Sequence, residues 1–110
     1  MRYCLALDLQ NDAALIAEYE DWHKKVWPEI KKSIRDAGIV NMEIYRLTDR
    51  LIMILETSDD FSLEKKAAMD LSNPIVRQWE ALMSKYQRPF QWAKPGEKWM
   101  PMKKVFDLDS

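Results

Sequence analysis

The chain has 110 residues, 47% of them hydrophobic and 32% charged, with a formal net charge of −1 when its one histidine is neutral. That length supports one core and therefore one domain over residues 1–110. Charges of both signs are interspersed, so no field draws in a phosphate backbone or an anionic lipid surface, and neither nucleic-acid nor membrane partners are expected.

A single cysteine, Cys4, excludes an intrachain disulfide and a thiolate metal cage. Its alternating apolar surroundings make it a small buried hydrophobe. No run approaches the roughly 18 apolar residues of a membrane span, and the N-terminus alternates where a signal peptide would show a charged start and an apolar run. A soluble, cytoplasmic protein is the expectation.

From the N-terminus, Arg2 to Leu9 alternates, with Tyr3, Leu5, Leu7 and Leu9 on one face, which predicts a half-buried strand. Asn11 or Asp12 caps a following helix whose apolar stripe is Leu15, Tyr19, Trp22 and Val26. Pro28 disfavours helical geometry at Trp27, so the helix breaks there and a second begins with Pro28 in its first turn. Ile30, Ile34 and Ala37 form its inner stripe, and Gly38 its C-terminal cap. Asn41 to Leu47 and Leu51 to Thr57 are β-rich runs joined by the hairpin loop Thr48-Asp49-Arg50. Phe61 to Asp70 reads as a short helix. Asn73-Pro74 restarts the chain as cap and first turn, with Ile75, Trp79, Leu82, Met83 and Tyr86 at helical spacing. Residues 87–101 are irregular, rich in proline and aromatics, and Lys103 to Leu108 closes as a last strand.

The order β-α-β-β-α-β, with each helical element broken in two, predicts a ferredoxin-like α+β fold of four antiparallel strands with helices on one face. The Met42/Ile44 and Ile52/Ile54 sets make both sheet faces apolar. A second copy of the chain covering the bare face, a homodimer through sheet faces, is the simplest solution.

Chemistry concentrates on His23, in the run Tyr19-Glu20-Asp21-Trp22-His23-Lys24-Lys25-Val26-Trp27-Pro28-Glu29. Helical positions i and i+4 share a face, so Tyr19, His23 and, if the helix continues, Trp27 align. An imidazole transfers protons near neutral pH, and flat aromatic rings suit the C–H face of a sugar. The bland reading is a core or interface histidine among aromatics. Trp79 is equally at home as a core residue, Gln78 beside it as a solvated side chain, and Trp92 and Trp99 as an interface seam. No zinc spacing, glycine-rich phosphate loop or Ser-His-Asp order is present, so neither metal nor cofactor is expected.

Taken together, Tyr19-x-x-x-His23-x-x-x-Trp27-Pro28-Glu29, Gly38, Asn41-x-x-Ile44-Tyr45, Arg77-x-Trp79 and Met102-x-x-Val105-Phe106 resemble the L-rhamnose mutarotase family. The resemblance runs in order along nearly the whole chain. It implies a dimeric α/β barrel that interconverts the α and β anomers of a 6-deoxyhexose without metal or cofactor, L-rhamnose first and L-fucose second. By position, His23 matches the family's proton donor, Tyr19 a substrate-binding tyrosine and Trp79 one of two adjacent tryptophans lining the sugar site. Met42 stands where the family commonly has tyrosine, and Gln78 where the first paired tryptophan falls. In the mechanism this chemistry suggests, Trp79 and Trp27 stack on the C–H face of the sugar ring and Gln78 bonds a hydroxyl. Two other classes compete: a small haem-binding or cofactor-free monooxygenase of the dimeric barrel type, and a non-catalytic ligand-binding module using the 87–101 aromatics.

Overall fold

The computed structural model describes residues 1–109. In chain order the elements are β1 (Arg2–Leu9), α1 (Ala13–His23), α2 (Pro28–Asp36), β2 (Ile39–Leu47), β3 (Arg50–Thr57), α3 (Leu63–Ser72), α4 (Pro74–Ser84), β4 (Gln87–Arg88) and β5 (Met100–Pro101). The sheet is antiparallel in the order β2-β3-β1-β4, with β5 also paired to β1. This is the ferredoxin-like arrangement, with helices against one face.

Local chemistry accounts for most boundaries. The Asp12 carboxylate caps α1 by accepting from the Leu15 amide at 3.0 Å. Trp27 has extended geometry (φ −58°, ψ 137°), and Pro28 opens α2, so the predicted break is real. Gly38, at φ +97°, ends α2 in a conformation that disfavours a Cβ. Ser62 caps α3 by accepting from the Lys65 amide at 3.2 Å. The helix therefore starts at Leu63, two residues past the predicted Phe61, which instead packs into the core with Leu5, Ile39 and Leu55. Asn73 accepts from the amides of Ile75 and Val76, and Pro74 follows it as the first residue of α4.

Leu47 pairs with Arg50, so the β2–β3 loop is two residues, Thr48 and Asp49, rather than three. Thr48 takes a positive φ of +52° to make that turn. A bulge between Ile39 and Asn41 leaves Val40 exposed.

Cross-strand pairs sort the two faces. Leu5 opposite Met53, and Met53 opposite Ile44, look toward the helices, as do Tyr3, Leu55 and Met42. Cys4, Ile54 and Glu43 form one row on the other face, and Ala6, Ile52 and Tyr45 the next. At the end of that face Asp8 bonds Arg50 at 2.7 Å, and this guanidinium holds its carboxyl below the usual range. The main core joins Leu9, Tyr19, Ile30, Leu51, Val76, Trp79, Met83 and Tyr86.

The predicted closing strand over Lys103 to Leu108 does not form. Pairing with β1 ends near Met102, whose amide donates to the Cys4 carbonyl at 2.7 Å. Because β1 itself begins at Arg2, it has too little length left to pair with a strand running to Leu108. Val105 (88%), Phe106 (75%) and Leu108 (84%) are correspondingly exposed. Nor does the sheet of one chain close into a barrel. Among the described residues, no helix is long and apolar enough to cross a membrane.

Candidate active site

His23 is the last residue of α1, where the helix stops before the Pro28 break. Its Nδ1 lies 2.8 Å from the Tyr19 carbonyl oxygen. A carbonyl only accepts, so Nδ1 carries the proton and Nε2 is left with a free lone pair. One hydrogen bond thus fixes the tautomer and orients the ring.

Aromatic rings hold the imidazole on two sides. The Tyr19 ring lies 4.3 Å away, centroid to centroid, and Trp79 meets the imidazole edge-on at 5.9 Å. Trp79 is itself met edge-on by Trp27 at 5.0 Å and Trp22 at 6.3 Å. Trp27 is therefore near the site although the helix does not continue to it. The break at Pro28 turns the chain so that Trp27 packs on Trp79 from α2's start. Trp22, at first only a stripe residue, belongs to the same cluster and donates from Nε1 to the Tyr86 hydroxyl at 3.1 Å.

Two cavities open beside this cluster. One, of about 420 Å³, is lined by His23, Val26, Ile34, Asn41, Met42 and Ile44 among others. The other, of about 570 Å³, is walled by Trp79, Met53, Leu55, Met83, Gln87 and Trp99 together with Met42. Both fall in the usual range for small-ligand pockets. Met42 lines both, so a position that departs from the family pattern is shared by the histidine's cavity and the tryptophan's.

Electrostatics keep Tyr19 neutral. Burial pushes its phenol well above the usual tyrosine range, and a hydrogen bond from the Gln87 side chain offsets only part of that. Tyr19 thus orients the imidazole through its main-chain carbonyl, while its raised phenol is a poor base. Glu80, on the wall of the larger cavity, is raised by burial and by the nearby Asp70 charge, with Lys98 and Lys66 opposing.

Of the residues singled out from sequence, Tyr19, His23, Trp27 and Trp79 come together, with Met42 at the cavity wall. Gln78 does not join them: it is exposed on α4 and lines neither cavity. Of the 87–101 aromatics, Trp99 enters the larger cavity, whereas Trp92 is 69% exposed and stacks on Phe90 at 4.7 Å. Gln87 carried no signal in the sequence, since a lone glutamine after a helix looks like any solvated loop residue.

Fold and site define a ferredoxin-like α+β protein with one tautomer-fixed imidazole in an aromatic, cavity-lined setting. The chain belongs to the L-rhamnose mutarotase family, whose family model matches residues 2–108. These are isomerases acting on carbohydrates. The chain is 45% identical over 109 residues to an L-fucose mutarotase of Xanthomonas campestris, covering 97% of this chain and 87% of the relative. It is 31% identical over 111 residues to an L-rhamnose mutarotase of Acidiphilium cryptum, covering 94% and 96%. The structure of an L-rhamnose mutarotase from Formosa agariphila superposes with a TM-score of 0.72 at 22% identity, covering 98% of each chain, a likeness of fold. None of these three supports the monooxygenase alternative.

Proposed function

We propose that this protein is a 6-deoxyhexose mutarotase in which His23 moves the proton. The observation that carries the reading is the 2.8 Å contact of Nδ1 with the Tyr19 carbonyl, which leaves Nε2 as the acceptor. Ring opening removes the proton from the anomeric hydroxyl, forms the C1 aldehyde and breaks the bond from C1 to the ring oxygen, which must gain a proton. Both oxygens are bonded to C1, so an imidazole within reach of both takes the proton from one and returns it to the other. Rotation about C1–C2 and the reverse steps close the other anomer, and protons balance over the cycle. General acid–base catalysis contributes about 10²–10⁴-fold, which suits a reaction that already runs unaided in water.

Trp79 and Trp27 supply apolar ring surface for the C–H face of the sugar, Tyr19 orients the imidazole, and Met42 shapes the space between the cavities. Gln78, exposed, has no part in this arrangement. The stronger similarity to a relative named for L-fucose supports that sugar over L-rhamnose, reversing the order drawn from the motifs. The two differ in the orientation of hydroxyls at C2 and C4, so the pocket wall decides between them. The outward rows of Cys4, Ile54, Ala6, Ile52 and Tyr45 support a homodimer through sheet faces, a dimeric barrel made of two open sheets.

NMR saturation transfer between the α and β anomeric protons tests the reading. With wild-type protein, exchange should be accelerated for L-fucose more than for L-rhamnose. If neither sugar responds, the reading is wrong, and a Soret band on haem titration would point to the monooxygenase class instead.

A further inference from the structure

Among the described residues, Gln87 Oε1 is the one buried side-chain oxygen or nitrogen with no hydrogen-bond partner. The residue is only 7% exposed, and it lines the larger cavity with Trp79, Met42 and Trp99. Buried polar groups are nearly always satisfied, and an amide oxygen has two lone pairs to offer. An unpaired buried acceptor on a residue that lines a cavity fits a ligand that brings a donor.

The backbone gives Gln87 little freedom to look elsewhere. Its residue is paired with Leu9 on β1, and its carbonyl accepts from Gln10 Nε2 at 3.1 Å, so the main chain is pinned at the sheet edge. The side-chain amide is near enough to Tyr19 to counter part of the burial effect on its phenol. Tyr19 in turn holds the imidazole through its carbonyl, so Gln87 neighbours the same unit as the proton carrier and lines the larger cavity.

We propose that Gln87 Oε1 accepts a hydrogen bond from a sugar hydroxyl, making Gln87 a specificity-determining residue of the mutarotase site. This rests on the mutarotase reading above. The hydroxyl is one away from C1, because the contact serves binding and leaves the proton transfer to His23. A ligand lacking that hydroxyl leaves the amide oxygen unpaired, which is how buried polar groups discriminate. Gln87 takes the hydroxyl-bonding part expected of Gln78 from the sequence.

The test combines Gln87→Met, which keeps length and removes the acceptor, with monodeoxy analogues of the better sugar, read by saturation transfer at varied sugar concentration. Gln87→Met should raise KM about tenfold while kcat stays within about threefold. One monodeoxy analogue should show the same KM rise with wild type and no further rise with Gln87→Met. If Gln87→Met does not fold, Gln87→Asn, which withdraws the amide by one methylene, is read the same way. An unchanged KM in a folded variant overturns the inference, as does a fall in kcat at constant KM, which would make Gln87 a positioning residue acting through Tyr19. Should wild type accelerate no sugar at all, the mutarotase reading fails, a result distinguishable from either variant outcome.

Discussion

Replacing His23 separates what the ring does for the fold from what it does for the reaction. His23→Ala removes the Nδ1 hydrogen bond to Tyr19, worth about 0.5–1.5 kcal/mol. It also removes ring contacts with Tyr19 and Trp79, each worth about 0.5–1.5 kcal/mol beyond area burial. Alanine's better helix propensity returns roughly 0.5 kcal/mol at the end of α1. The net cost is about 2–3 kcal/mol, which lowers Tm by roughly 10 °C and leaves a domain of ordinary stability folded at 25 °C. Loss of the proton carrier should meanwhile cost about 10²–10⁴ in rate, or about 3–5 kcal/mol of barrier. His23→Phe keeps a ring against Tyr19 and Trp79 but cannot transfer a proton. It should recover about 1 kcal/mol of stability and none of the rate. Thermal unfolding followed by circular dichroism reads the first quantity, and saturation transfer between anomeric protons the second. If either folded variant exchanges anomers within about threefold of wild type, His23 is not the proton carrier, however well its tautomer is fixed.

Gly38→Ala should be destabilising through the backbone. At φ +97° a Cβ would stand 2.7 Å from Ser58 Oγ, which is itself bonded to Asp60 at 2.7 Å. Positive-φ strain of about 1–2 kcal/mol plus displacement of that bond gives roughly 2–3 kcal/mol. Denaturant unfolding of Gly38→Ala with and without Ser58→Ala should show the second change relieving part of the cost, and a neutral Gly38→Ala would contradict the account. Tyr19 makes stability depend on alkaline pH. Its folded pKa is raised by burial, so its contribution is complete below the unfolded value of about 10 and declines as pH rises past it toward the folded one. Urea unfolding from pH 8 to 11 should therefore show wild type losing stability more steeply than Tyr19→Phe, and parallel curves would refute the shift. Ile54→Lys places a charge in the middle of the uncovered sheet face. Light scattering at micromolar concentration should give a dimer for wild type and a folded monomer for the variant; a monomeric wild type would remove the sheet-face dimer.

Where the sequence was legible, the physics was local. Caps at Asp12 and Asn73, the Pro28 break and the stripe Tyr3-Leu5-Leu7-Leu9 each depend on neighbours within a turn or a strand, and each appears where residue chemistry puts it. The last strand failed because alternation in Lys103 to Leu108 says nothing about whether a partner edge exists, and beyond Cys4 β1 has only Tyr3 and Arg2 to offer. The site divides the same way. His23 and Tyr19 are one helical turn apart, so spacing alone joins them. Gln78 and Trp79 are adjacent on α4, and consecutive helical residues point about 100° apart. Burying Trp79 against Trp22, Trp27 and His23 therefore turns Gln78 toward solvent. A polar partner for a ligand beside Trp79 has to arrive from another element. Gln87 does so from the sheet edge, by a contact with no sequence period to announce it, since it exists only once β4 has paired with β1.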